Sequence, residues 1–134
     1  MENSNKRQKN LNMILATQKF RGTDLVFKHD LTGRVMTEGI LEIRDNYKGQ
    51  WLIDHILFFT KCVALESNIQ VWNLVRCFTT DDSFTESFYL TCSNDQNEMV
   101  YCTKINRVDF PADFLTLHYK EGVLYLPGDD FFKK

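Results

Sequence analysis

The sequence predicts an α+β domain, with two or three helices packed on one face of a four- or five-stranded antiparallel meander. Three observations carry that expectation. Apolar residues recur at three- and four-residue spacing up to about Glu66, and at two-residue spacing after Ser67-Asn68. The strand-like runs are joined by short turns, which suits antiparallel neighbours. Helices first and strands afterwards, within 134 residues, separate the two kinds of element into layers.

Residues 1–9 are polar and charged and read as a flexible basic tail, leaving residues 10–134 as a single domain. From Asn10 to Phe20, Leu11, Ile14, Leu15 and Gln18 fall near one helical face, with Gly22 as the stop. Residues 23–34 suit an irregular or strand-like connection. Between Arg34 and Asn46, the spacing of Val35, Gly39, Ile40 and Ile43 predicts a second helix, capped by Thr37 or Thr32. Gly49 breaks it. Trp51 to Glu66 is the strongest helical pattern, and its apolar residues (Trp51, Leu52, Ile56, Phe59, Val63, Leu65) cover more than half the circumference. Such a helix is buried on most sides, and Asp54 in its first turn meets the positive helix end.

The strand runs are Ile69–Phe78, Thr85–Cys92, Glu98–Val108, Phe114–Tyr119 and Val123–Leu126, broken at Asp81-Asp82, Ser93-Asn94-Asp95, Phe110-Pro111 and Glu121-Gly122. Alternation places Leu115, Leu117 and Tyr119 on the core side with Leu124 and Leu126. Phe114, Thr116, His118, Val123 and Tyr125 take the wetter side. Trp51 and Trp72 are the expected core anchors.

Composition narrows the function classes. Eleven Phe, five Tyr and two Trp exceed what one small core needs, so some belong to a surface that meets a partner. Net charge is −2, which gives no global field for nucleic acid. Residues 1–67 carry 10 basic and 8 acidic side chains (+2), and residues 68–134 carry 6 and 10 (−4). No stretch has the length and apolarity of a signal peptide or a membrane span. The cysteines, Cys62, Cys77, Cys92 and Cys102, have no CxxC spacing and sit in apolar runs, as buried reduced thiols do. A soluble cytoplasmic protein is expected.

Several short motifs occur in order. Phe20-x-Gly22-Thr23 is followed by Phe27-Lys28-His29. Thr37-Glu38-Gly39 precedes an intact Trp51-Leu52-Ile53-Asp54, and Gln70-Val71-Trp72 comes after it. The set closes with Asp109-Phe110-Pro111 and Leu126-Pro127. In this the chain resembles a family of small bacterial, phage and plasmid proteins known only as a domain of unknown function. The resemblance implies a fold and a mobile-element setting, and no activity. Phe78 to Phe84 is longer than the family's turn, and the basic first nineteen residues have no counterpart.

No catalytic constellation stands out. Asp54 and His55 are adjacent on a helix, so their side chains point about 100° apart. His29, Asp54 and His55 could converge on a metal only through the fold, since no HxxxH or HxH spacing is present. There is no Gly-x-Ser-x-Gly elbow and no Gly-rich phosphate loop. The expectation is therefore no catalytic, cofactor or metal residue, and a function by stoichiometric binding to another protein. Contacts are assigned to Tyr101, Phe114 and Tyr125 on the second sheet face, beside Tyr89, Phe131 and Phe132. Acidic turns at Asp81, Asp82, Asp129 and Asp130 ring them. With the mobile-element setting, the most concrete partner is a CRISPR effector or other defence nuclease, blocked by occlusion in the anti-CRISPR manner. A second copy of the chain could cover the same face as a homodimer. Two other classes stay open. One is a nucleic-acid-binding accessory protein using Lys6, Arg7, Lys9 and Arg21, and the other is an enzyme without a recognisable motif.

Overall fold

A seven-stranded sheet forms the floor of the domain, in a computed structural model that describes residues 10–16, 26–29, 32–60, 69–78, 84–106 and 109–128 (for 15, 16, 26 and 84, the backbone alone). The elements are α1 (Leu11–Ala16), β1 (Val26–Lys28), β2 (Val35–Thr37), α2 (Glu38–Asn46), α3 (Gln50–Phe59), β3 (Gln70–Phe78), β4 (Phe84–Ser93), β5 (Met99–Ile105), β6 (Phe114–Lys120) and β7 (Val123–Tyr125). Across the sheet the order is β1-β2-β7-β6-β3-β4-β5, antiparallel except for β2 beside β7.

The α+β class stands, and the strand count and order are corrected. Only β3-β4-β5 is a meander. β6 returns to the other side of β3, pairing Trp72 with Leu117 and Leu74 with Leu115, so β3 lies inside the sheet. The tight Glu121-Gly122 turn, with both residues at positive φ, then sends β7 back along β6. β1 lies in the stretch read as an irregular or strand-like connection, and β2 in the stretch read as a helix start. At three residues each they are too short to display a period. Tertiary pairing makes them strands: Val35 and Met36 align with Val123 and Leu124, and the Val35 N–H donates to the Gly122 carbonyl at 3.1 Å.

α2 and α3 lay Ile40, Ile43, Leu52, Ile53, Ile56 and Leu57 on one sheet face, against Trp72, Leu74, Phe88, Leu90, Leu115, Leu117 and Leu124. Thr37 occupies the N-cap of α2, as expected, without a side-chain capping bond. The helix expected to run to Glu66 ends at Phe59, with Thr60 as C-cap; residues 61–68 lie outside the described residues. It is also less buried than its apolar count suggests, since Phe58 is 55 % exposed and Phe59 37 %. Trp72 is fully buried and its indole N–H donates to Gln70 Oε1 at 3.0 Å. Trp51 is half-buried, edge-on to Phe110 and tilted against Phe88, with its indole nitrogen buried and unbonded. It contributes to the core wall rather than its centre.

Leu115, Leu117, Leu124 and Leu126 are buried, as alternation requires. Val123 and Tyr125, assigned to the wetter side, are buried as well. α1 lies beside β6 and contributes Leu11 to the core; the continuation expected to Phe20 is outside the described residues.

Candidate functional site

The motif pieces His29 and Asp54, twenty-five residues apart, meet in space. The β1–β2 loop closes with the His29 N–H donating to the Arg34 carbonyl at 2.7 Å and the Gly33 N–H donating to the His29 carbonyl at 2.9 Å. This presents the imidazole to the first turn of α3. The Thr32 backbone N–H donates to His29 Nδ1 at 3.2 Å, which makes Nδ1 an acceptor and leaves the proton on Nε2. Nε2 lies 2.7 Å from Asp54 Oδ1. The Thr32 hydroxyl is 2.9 Å from Nδ1 and accepts from the Arg34 N–H, while Arg34 Nε donates to the Thr60 hydroxyl at 3.4 Å. Both ring nitrogens of the buried His29 are therefore engaged by the protein. The arrangement latches the hairpin to α3.

His55 points elsewhere, as the helical step of about 100° demands. Its ring stacks on Phe59 at 4.7 Å, and its Nε2 sits 3.0 Å from the Tyr101 hydroxyl. Phe59 and Trp72 flank Tyr101 at 5.0 and 5.6 Å. Burial lowers the His55 pKa and raises that of Tyr101, so both are held neutral. His29, Asp54 and His55, which could have met at a metal only through the fold, are thus split between two clusters. No group of three or more His, Cys, Asp or Glu able to hold a metal ion occurs among the described residues.

The other sheet face carries a row that crosses four strands. Phe114 pairs with Val75, Val75 with Tyr89, and Tyr89 with Lys104. Val75 and Tyr89 are exposed, and Lys104 Nζ lies 6.0 Å from the Tyr89 ring centroid. The adjacent row is Thr116, Asn73, Thr91 and Cys102, tied by the Thr116 hydroxyl donating to Asn73 Oδ1 at 2.6 Å.

The structure places the expected contact residues apart. Phe114 is half-buried on this face with Tyr89. Tyr101 is on the helix face, where it pairs with the buried Cys92 and alternates with Thr103 and Ile105, the partners of the buried Leu90 and Phe88. Tyr125 shares the face with His118, edge-on at 5.5 Å, but is buried; burial lowers the His118 pKa. Asp81, Asp82, Asp129, Asp130, Phe131 and Phe132, and the basic Lys6, Arg7, Lys9 and Arg21, lie outside the described residues. Phe58, Phe59, Val75 and Met99 are exposed apolar residues that sequence reasoning does not single out as surface.

The thiols separate by burial. Burial pushes the Cys92 thiol up to about 12, whereas Cys102 is exposed and Cys77 half-buried; Cys62 lies outside the described residues. A maleimide titrated at neutral pH should label Cys102 well before Cys92, with Cys92 reacting only as the domain unfolds. Early labelling of Cys92 would contradict its place in the core.

No helix among the described residues is long and apolar enough to cross a membrane. No curated protein and no solved structure matches the chain. The family described as "Family of unknown function (DUF6876)" matches residues 12–130, a span that takes in the latch, both aromatic clusters and every described strand. The chain belongs to that family.

Proposed function

We propose that this protein works by stoichiometric binding to another protein, through the open sheet face. The observation that carries this is the row Phe114–Val75–Tyr89–Lys104, in which Tyr89 is 46 % exposed and Val75 38 % at neighbouring positions of the sheet interior. Two large exposed apolar groups held by adjacent strands form a rigid, preorganised contact, and aromatic anchors of this kind dominate protein interfaces. Lys104 at the end of the row suits a partner with an acidic rim. The His55–Phe59–Tyr101 cluster lies on the opposite face and is not part of this contact.

The narrower form of the proposal is occlusion of a nuclease, as anti-CRISPR proteins do, by a phage- or plasmid-borne cytoplasmic protein. It draws on the resemblance and on the acidic turns at 81–82 and 129–130. A photo-crosslinking phenylalanine analogue at position 89 tests the broader form in the cell. Discrete adducts at 89, and none from the same analogue at the exposed hairpin residue Glu121, are expected. Adducts of equal yield at both positions, or a crosslink to nucleic acid, would defeat the reading.

A further inference from the structure

The latch at His29 has the connectivity of a proton relay. Asp54 Oδ1 lies 2.7 Å from Nε2, and Nδ1 lies 2.9 Å from the Thr32 hydroxyl. A carboxylate, an imidazole and an alcohol are thus joined in line through the two ring nitrogens, as in hydrolases with a Ser-His-Asp triad. The tautomer is the one such a relay needs. The Thr32 N–H donates to Nδ1, so the ring proton faces the carboxylate and the ring lone pair faces the alcohol.

The surroundings suit the alcohol as a reacting group. His29 is 4 % exposed, which shields both ring contacts from water, whereas Thr32 is half-buried and open to solvent on one side. The Thr32 oxygen accepts one long bond, from the Arg34 N–H at 3.3 Å, and keeps a lone pair for attack. Arg34 also brings a guanidinium to this loop. Its Nε donates to the Thr60 hydroxyl, and its Nη groups have no partner among the described residues. Holding the hairpin to α3 needs only the His29–Asp54 contact. The hydroxyl is not part of the latch, so the two roles separate by substitution.

We propose that Thr32 is a nucleophile, activated by His29 and Asp54, that accepts an acyl group from a small carboxylic ester. The methyl group beside the attacking oxygen crowds the approach and favours a small acyl group. As Oγ1 bonds to the carbonyl carbon, its proton passes to Nδ1 of His29, and the longer bond from the Thr32 N–H gives way. The carbonyl π pair moves onto oxygen, where the Arg34 guanidinium balances the charge. When that pair returns, the C–O bond to the leaving alcohol breaks, and the Nδ1 proton goes to the departing oxygen. Water then attacks the Thr32 ester by the same route, releasing the carboxylic acid and restoring the hydroxyl. Asp54 is a positioning residue, holding the ring proton on Nε2. This activity is separate from the sheet-face contact.

p-Nitrophenyl acetate with the full chain tests it. Mass spectrometry after an acid quench should find an acetyl group on Thr32, and p-nitrophenol should be released over repeated turnovers. Thr32→Val should abolish both while the melting temperature stays near that of the wild type, because the latch is intact. Thr32→Ser should keep both. Asp54→Asn should lower kcat on the order of 100-fold with KM little changed, a split that loss of a merely structural contact would not produce. Should Asp54→Asn unfold, the two Thr32 variants alone decide. Release that Thr32→Val leaves unchanged would overturn the proposal, and so would acetylation confined to lysines and Cys102.

Discussion

Replacing Arg76 by Met should destabilise the domain by about 3–5 kcal/mol, the range for removing one partner of a buried ion pair. Arg76 sits at a bulge in β3 with its side chain 11 % exposed, and its Nε donates to Oδ1 of Asp113, 4 % exposed, at 2.6 Å. Nη1 donates to the Thr85 carbonyl at 2.6 Å, and Nη2 to the carbonyls of Phe110 and Ala112 at 2.6 and 3.2 Å. The guanidinium also lies over the Phe88 ring, 4.5 Å from its centroid. One side chain therefore fixes the β5–β6 connection against β3 and β4. Methionine matches much of the volume and none of the donors, so a buried carboxylate and three carbonyls lose a partner together. A loss of melting temperature on the order of 10 °C or more should result, measured by calorimetry. Lysine should recover only part of it, because a point charge cannot serve a forked set of acceptors. A Met variant that melts with the wild type would show that packing alone holds the 109–113 turn.

That turn illustrates what is legible in the sequence. Asp109-Phe110-Pro111 is visible as a break between strands and as a piece of the family pattern, but its partner is not. Arg76 lies inside a run that alternates cleanly as a strand, and a single cation among apolar residues carries no mark of what it will meet thirty-four residues later. His29 and Asp54 present the same problem: each is visible in its motif, and their contact depends on a loop closure that no periodicity encodes. Local signals serve well where an element is long. The periods of α3, β3 and β4 place their starts to within a few residues. They fail where tertiary pairing decides, as in β2, whose residues carry helix-like spacing. Tyr101, read as a surface aromatic, pairs instead with the buried Cys92 and shares its face with Thr103 and Ile105, so a surplus of aromatics does not say which face holds each of them. The row of Phe114, Val75 and Tyr89 requires β6 to lie beside β3, and chain order alone suggests β5 as its neighbour.

Gly49→Ala should cost about 1–3 kcal/mol, the range for overpacking a well-filled site, and its cause is contact rather than backbone torsion. Gly49 has φ −100° and ψ 11°, which alanine can adopt. A Cβ at this position would lie 2.5 Å from Ile43 Cγ2 and 2.8 Å from the Ile43 carbonyl oxygen. Rotation of the isoleucine relieves the first clash only. The second is with backbone already committed, since the Ile43 carbonyl accepts from the Tyr47 N–H at 3.2 Å and the Gly49 N–H at 3.1 Å. Lys48, at φ 58°, swings the chain back so that this double bond forms. From there the Gly49 carbonyl accepts from Leu52 and Ile53 and starts α3. The close approach thus sets the angle between α2 and α3, and with it the reach of Asp54 to His29. Gly128→Ala, where a Cβ meets nothing within 4 Å, is the control and should leave stability unchanged. Chemical denaturation of both variants decides the matter. Equal midpoints would mean that the α2–α3 turn opens without strain, and a normal His29–Asp54 contact in Gly49→Ala would separate the turn from the latch.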